Sequence, residues 1–372
     1  MHRAAVSASY RLACTLTVCS FDLHSSALSV NPPPYLIVIG TSAGGMLALT
    51  ELVRQLPASI PAAVLVVQHL SPESSGEALV NRLSRNSKLK CQLALNQTFI
   101  EAGNLYLAPP DRHLLLRVNR LLVTKGPREN GFRPAADTLF RSAAVSFGPS
   151  VIGVVLTGML HDGTAGLDFI KRCGGIAVVQ DPLDAEFPSM PESALRNVDI
   201  DYNAPLARLG ALLVELTHHP VPPQSTANIP KDLQTEAAIA ERVVGTTEEV
   251  QEIGHQVPMT CPDCGGALWQ LNKGNVLRFR CHTGHAFTAD ALLDAEQHSL
   301  EETLWVAIRM MEERKILLTS MASRGSGFWS VQQEERVEGL KQHINRLREF
   351  LLNGSVAGTA PKTNTDRTEE TA

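Results

Sequence analysis

Runs of consecutive apolar residues recur along the first 220 positions, each closed by a glycine-rich or polar stretch. YLIVIG (35–40), AAVLVVQH (62–69) and SVIGVVLTG (150–158) contain almost no polar side chains, and IAVVQD (176–181) repeats the pattern. A strand that is apolar throughout is buried on both faces, which is the mark of a parallel sheet held between helix layers. NLYLAPP and HLLLRVNRLLVTK read as shorter strands, the second a hairpin near Asn119. Helical spacing fills the intervals. Over 46–56, Leu47, Leu49, Leu52, Val53 and Leu56 fall near one face, and 74–85, 137–147 and 166–173 also read as helices. The predicted fold is α/β, with a doubly wound, mostly parallel sheet spanning residues 35–218.

The pattern then changes. HHPVPPQSTANIPKD opens a linker, 219–254, in which one polar helix is expected. A small cysteine-bearing module follows over 255–290. Residues 291–352 form two helical segments interrupted near SRGSGFWS. In the first, Leu304, Met311 and Leu318 recur every seven residues, with Leu300 and Ala307 between turns. In the second, Val337, Leu340, Ile344, Leu347 and Leu351 step by three and four. Both seams suit a helical hairpin packed on itself. Residues 1–34 are expected to be a disordered leader. The apolar stretch LACTLTVC is diluted by Thr15 and Thr17 and precedes no clear cleavage site, which argues against an export signal. Residues 353–372 are expected to be a disordered tail.

Composition narrows the function classes. Of 372 residues, 44% are hydrophobic, enough for a sizeable core, and the formal charge is −5. That balance argues against nucleic acid as a partner. No apolar run approaches the roughly 20 residues of a membrane span. The cysteine count is odd, with Cys261, Cys264 and Cys281 clustered, which fits a reducing, cytoplasmic setting better than a disulfide framework.

Three polar residues stand at three strand ends: Ser42 after YLIVIG, His69 closing AAVLVVQ, and Asp162 just past VIGVVLTG. In open α/β sheets, ligands bind beyond the carboxyl ends of the strands. A serine hydroxyl needs a base to become a nucleophile, imidazole titrates in the right range, and a carboxylate orients the imidazole. Gly40-Thr41-Ser42-Ala43-Gly44 also matches G-x-S-x-G, in which serine sits on a sharp strand-to-helix turn. Amides from Ala43 and Gly44 onward, at the start of the next helix, are oxyanion candidates. Taken alone, the glycine-rich turn is equally a phosphate cradle, although it lacks the Walker lysine and the second glycine of a dinucleotide fingerprint. Asp162 before Gly163 is equally a turn or helix cap. His161 and Asp181 are rival triad members, and His113 is a weaker one. The order Ser, His, Asp differs from that of the α/β-hydrolases, so the fold is expected to differ from theirs.

The span 35–216 resembles the catalytic domain of the CheB family of chemoreceptor glutamate methylesterases. IGTSAGG, VLVVQHLSP, LYLAPPDRHLLL, GFRPAADTLFRSAA, GVVLTGMLHDGTAGL and VVQDPLDAEFPSMPESAL occur in the family's order and spacing. The resemblance implies Ser42 as nucleophile, His69 as base, Asp162 as the third member, and Met159 beside the active site. It implies hydrolysis of glutamate γ-methyl esters on a methylated receptor, glutamine deamidation by the same acyl route, and no cofactor for catalysis. It also implies methyltransferase and kinase pathway partners. The chain departs from the family pattern in three ways. Ala43 replaces a threonine of the family's turn. The short leader leaves no room for the usual receiver domain, so control by aspartyl phosphorylation in cis is not expected. A C-terminal extension is added.

That extension carries Cys261-x2-Cys264, then sixteen residues, then Cys281-x3-His285. Four such ligands at this spacing fit a zinc ribbon in which a structural metal replaces a core, with a hairpin expected around Lys273-Gly274-Asn275. His282 is the rival fourth ligand, and a metal-free ribbon stays open. Lys273, Arg278 and Arg280 keep a nucleic-acid adaptor as a minor alternative. The other alternative is a non-catalytic regulator that binds partners through the triad cleft and the tail.

Overall fold

In a computed structural model, which describes residues 31–220, 229–243 and 245–354, the apolar runs pair into one sheet. The first elements are β1 (Tyr35–Thr41), α1 (Gly45–Gln55), β2 (Ala62–Gln68), α2 (Glu77–Asn86), β3 (Lys90–Leu93) and β4 (Asn104–Leu107). A hairpin of β5 (His113–Arg117) and β6 (Arg120–Thr124) leads to α3 (Ala136–Phe147), β7 (Val151–Val155), α4 (Thr164–Arg172) and β8 (Ile176–Gln180). Then come α5 (Ser189–Asn197), β9 (Tyr202–Ala204), α6 (Leu206–Thr217), α7 (Lys231–Arg242) and α8 (Thr247–Ile253). The remainder is β10 (Gly254–Thr260), β11 (Ala267–Leu271), β12 (Arg278–Cys281), β13 (Ala286–Thr288), α9 (Ala289–Arg324) and α10 (Phe328–Gly354).

Seven strands form the main sheet in the order β3-β4-β2-β1-β7-β8-β9. Every pairing in it is parallel. Every residue of β1, β2 and β7 is buried, which explains why their sequences do not alternate. Successive side chains of β1 serve opposite faces. Leu36 and Val38 pack with Leu139, Phe140, Leu167 and Ile170 of α3 and α4. Tyr35, Ile37 and Ile39 pack with Leu49, Leu52, Leu209 and Leu213 of α1 and α6. β1 is the switch strand: the chain passes to β2, out to the edge at β3 and back to β4 between them, then crosses to β7 on the other side. The carboxyl ends of β2, β1 and β7 therefore lie side by side.

Two sheet strands escaped the sequence pattern. The edge strand β3 is partly exposed and the edge strand β9 has only three residues, so neither forms an apolar run. Beyond the sheet, two helices, α7 and α8, stand where one was expected. Leu233 of α7 and Val276 of the β11–β12 connection both join the core that backs α3 and α4. α9 and α10 pack as a hairpin, with Leu318 and Ile344 buried in its seam and Leu300 exposed. Residues 1–30, 221–228 and 355–372, which include most of the expected leader and tail and part of the linker, lie outside the described residues. Among the described residues, no helix is long and apolar enough to cross a membrane.

β10–β13 form a separate antiparallel sheet, tied to the α/β core by buried charge. Glu129, in the loop before α3, meets Arg141 of α3 through both carboxylate oxygens, at 3.1 and 2.5 Å. It also accepts from Arg280 of β12 at 2.9 Å. Glu236 of α7 receives two bonds from Arg278 of β12, at 2.7 and 3.1 Å. All five side chains are buried. Arg278 and Arg280 are thereby spent inside the protein, which removes two of the three cations that kept a nucleic-acid surface in view. Removing either glutamate from this network strands a buried guanidinium at a cost of about 3–5 kcal/mol.

Burial pushes the Glu129 carboxyl up, but the Arg141 and Arg280 guanidiniums outweigh it and hold the group down at about 2, against an ordinary 4.5. A carboxyl depressed in the folded state stabilises it fully above its unfolded value and ceases to do so as pH falls through the folded one. The difference corresponds to about 3 kcal/mol. Urea denaturation should show stability falling between pH 4.5 and 2 more steeply in the parent chain than in Glu129→Gln. Equal slopes would mean that the network is not ionised in the folded protein.

Candidate active site

β1 ends in a pinned turn. The Ser42 amide donates to the Thr157 carbonyl at 3.1 Å, and the Ser42 carbonyl accepts from the Gln68 side chain at 2.8 Å and from the Gly45 amide at 3.0 Å. The Thr157 hydroxyl donates to the Ala43 carbonyl at 3.1 Å. Gly44 has φ +74°, and a Cβ there would come within 2.9 Å of the Glu186 carboxylate, so the turn requires glycine. α1 then runs from Gly45 to Gln55, one residue ahead of the expected 46–56 at each end.

His69 follows β2, its amide bonded to the Thr41 carbonyl at 3.2 Å. Its Nδ1 lies 3.1 Å from Ser42 Oγ and its Nε2 lies 2.9 Å from Asp162 Oδ2. An ionised carboxylate only accepts, so Nε2 carries the proton and Nδ1 is left to accept from the serine hydroxyl. The Phe132 ring stacks on the imidazole, centroids 3.8 Å apart and planes 10° apart. Such a stack contributes roughly 0.5–1.5 kcal/mol and blocks rotation of the imidazole.

Asp162 is fully buried and accepts from four donors. Besides His69, these are the amides of Ala136 at 2.5 Å and Asp137 at 3.2 Å, and the Asn130 side chain at 3.2 Å. Ala136 and Asp137 open α3, so Asp162 also occupies the positive end of that helix. The arrangement is reciprocal. Asp137 accepts from the amides of Gly163 and Gly166 at the start of α4, at 3.0 and 2.6 Å. The helix-cap and triad readings of Asp162 thus describe one position, except that the helix capped is α3. Burial first, and then the adjacent Asp162 charge, push the Asp137 carboxyl above the usual carboxylate range, while the Gly166 amide and the Asn130 side chain pull it back.

The rival residues lie elsewhere. His113 is buried, bonded to the Pro127 carbonyl at 2.8 Å and to the Ala135 amide at 3.2 Å, and burial lowers its pKa. Asp181 accepts from the Leu183 amide within a turn. His161 faces Asp290 and Asp294 of α9, each at 3.8 Å. Met159 is 52% exposed on the loop after β7. A cavity of about 360 Å³ adjoins the stack, lined by Phe132, Leu160 and His161 on one side and by Ala291, Asp294 and His298 of α9 on the other. Sequence reasoning assigned no role to Asn130, Phe132, Gln68 or Asp137. Of these, only Asn130 carried a local signal, the Asn-Gly turn dipeptide.

The second cluster lies in the β10–β13 sheet. The ligand atoms of Cys261, Cys264, Cys281 and His285 all fall within 4.8 Å of one another. Cys264 and Cys281 Sγ are 3.8 Å apart, and Cys281 Sγ is 3.6 Å from His285 Nδ1. A tetrahedron with metal–sulfur bonds of about 2.3 Å has edges of about 3.8 Å, so the donor set fits a metal ion. His282 stands edge-on to Trp269 instead of joining it. The core under this sheet is small, built from Leu268, Phe279, Phe287, Leu292 and the cysteines themselves.

A serine, an imidazole and a carboxylate in hydrogen-bonded sequence, at the switch point of a parallel sheet, define the site as that of a hydrolase-type α/β domain. The CheB methylesterase family model matches residues 37–213. A putative protein-glutamate methylesterase/protein-glutamine glutaminase of Leptospira interrogans is 39% identical over 181 residues, which are 48% of this chain and 93% of that protein. The protein-glutamate methylesterase FrzG of Myxococcus xanthus is 39% identical over 186 residues, 50% of this chain and 55% of that one. The crystal structure of the Thermotoga maritima CheB methylesterase catalytic domain aligns with 32% identity and a TM-score of 0.47, covering 49% of this chain and 98% of that domain. The chain belongs to the CheB methylesterase family.

Proposed function

We propose that the protein is a protein-glutamate methylesterase that hydrolyses glutamate γ-methyl esters on a methylated chemoreceptor or receptor-like signalling protein, and deamidates glutamine by the same route. The observation that carries this reading is the hydrogen-bonded line Ser42–His69–Asp162, at 3.1 and 2.9 Å. The Leptospira interrogans relative is named for both activities. All three positions keep the residue types the chemistry needs, so a purely non-catalytic regulator is not favoured.

In this reading, Ser42 Oγ attacks the ester carbonyl while its proton passes to His69 Nδ1. Asp162 holds the proton on Nε2 and stabilises the imidazolium that forms. The amides of Ala43 and Gly44 stabilise the oxyanion, and Met159 lies at the mouth of the site against the substrate. Methanol leaves with the proton from His69. Water, deprotonated by the same nitrogen, then attacks the acyl-enzyme and releases the glutamate carboxylate and free Ser42. For glutamine the leaving group is ammonia. No cofactor enters these steps.

The same reading assigns 35–218 to the catalytic unit, 219–254 to a connecting segment and 255–290 to a zinc ribbon that leads into the helical hairpin, 291–352. Zinc held by Cys261, Cys264, Cys281 and His285 is structural: four protein ligands fill a tetrahedron and leave no position for water. The clustered cysteines serve as metal ligands and not as disulfide partners, which supports action in the reducing cytoplasm. Methyltransferase and kinase partners of the same pathway accompany such a role.

Methanol release from methylated receptor membranes should fall at least about 10³-fold in Ser42→Ala. Equal release by parent and variant would remove the esterase reading. The purified chain should hold one zinc per molecule, measured by colorimetric release after thiol modification, and Cys261→Ser should hold none. A parent chain with less than a tenth of an equivalent would leave the ribbon metal-free.

A further inference from the structure

We propose that Asn130 is a positioning residue that ties the triad to the C-terminal ribbon, so that docking of the ribbon sets how firmly Asp162 holds His69. The inference rests on the esterase reading above. It begins with a turn. Glu129 and Phe132 exchange backbone hydrogen bonds, at 3.2 and 2.9 Å, around Asn130 at φ +52° and Gly131 at φ +79°. Two positive φ values in succession make Asn-Gly the favoured pair here. The tight turn fixes where the Asn130 side chain stands, and three groups converge on it.

Its amide nitrogen donates to Asp137 Oδ2 at 2.7 Å and to Asp162 Oδ1 at 3.2 Å. Its amide oxygen accepts from the Thr288 backbone N–H of β13 at 2.9 Å. Only this amide orientation satisfies all three, because two of the partners are carboxylates and the third is a donor. The Asn130 backbone N–H donates to the Ala286 carbonyl, also of β13, at 2.8 Å. Its neighbour Glu129 accepts from Arg280 of β12. At the far end of the same turn, Phe132 stacks on His69.

One four-residue turn therefore touches the general base, the orienting carboxylate and two strands of the ribbon. If β13 withdraws, the Asn130 amide oxygen loses the donor that holds it in place. The side chain then relaxes by rotating, and that rotation takes its N–H away from Asp162. Freed on one oxygen, Asp162 constrains His69 less well. The ribbon lies outside the stretch matched by the family model, which ends at residue 213, so this linkage belongs to the chain's own extension.

The test uses the full chain with Asn130→Ala, Asn130→Asp, Arg280→Met and the Asn130→Ala/Arg280→Met double variant. Two readouts are taken: the rate at which a fluorophosphonate labels Ser42, and methyl-ester hydrolysis as a function of pH. Asn130→Ala should lower kcat and the labelling rate about 10- to 100-fold, the loss of one hydrogen bond to a charged group, with KM little changed. Asn130→Asp places a negative charge beside Asp162, favours the protonated imidazole, and should move the acid limb of the pH–rate profile to higher pH. A merely structural defect leaves that limb in place. In Arg280→Met, Glu129 keeps Arg141, so no carboxylate is stranded. Its smaller loss should combine with that of Asn130→Ala to less than the product of the two. Multiplicative losses, an unmoved acid limb, or an unchanged labelling rate in folded Asn130→Ala would overturn the proposal. Should Asn130→Ala not fold, an unchanged labelling rate in Arg280→Met does so alone. A parent chain that the probe does not label at Ser42 overturns the esterase reading instead.

Discussion

A single buried carboxylate organises this molecule. Asp162 is fully enclosed, and an ionised group so placed must have its oxygens met by donors or carry a large desolvation penalty. The four donors come from three separate stretches: the imidazole after β2, the first two amides of α3, and the side chain of the Asn130 turn. Meeting the charge thus fixes the approach of α3 to the sheet and the rotamer of His69 at once. Asp137, capping α4 in return, locks the two helices N-terminus to N-terminus. Stability and candidate chemistry draw on the same contacts, and neither can be altered without the other.

The C-terminal extension obeys the same constraint from outside. Its β12 and β13 are seated on the α/β core by Arg278, Arg280 and the backbone of Ala286 and Thr288. A ribbon with so few apolar residues gains most of its order from the cysteine–histidine cluster and from this docking. Thr288, the last residue of β13, also caps α9 through its side chain. The 36-residue helix therefore leaves the ribbon in a set direction, with its first turns beside the cavity next to His69.

The sheet was legible because buried parallel strands write themselves as unbroken apolar runs, and β1, β2, β7 and β8 did. The three polar residues at their ends were legible for the same reason: a strand end next to a glycine-rich turn is a recognisable address. The cysteine spacing was equally plain, and the structure brings its four ligand atoms together. What escaped was held by partners distant in the chain. Asp137, Gln68 and Phe132 matter through contacts 25 to 63 residues away, and no periodicity marks them. Arg278 and Arg280 looked like surface cations because charge alone does not reveal a buried partner such as Glu129, 151 residues distant. The polar composition of α7 hid its role, since Asp232 and Glu236 are buried in ion pairs with Arg172 and Arg278.

The buried Asp162 carboxylate orients His69 through a hydrogen bond to Nε2. Proton NMR of the full chain with ¹⁵N-labelled histidine reads this bond directly. The His69 imidazole N–H resonance should lie far downfield of the amide region, be absent in Asp162→Asn and be retained in Ser42→Ala. A parent chain without that resonance, or one whose His69 signal is indifferent to Asp162→Asn, would contradict it.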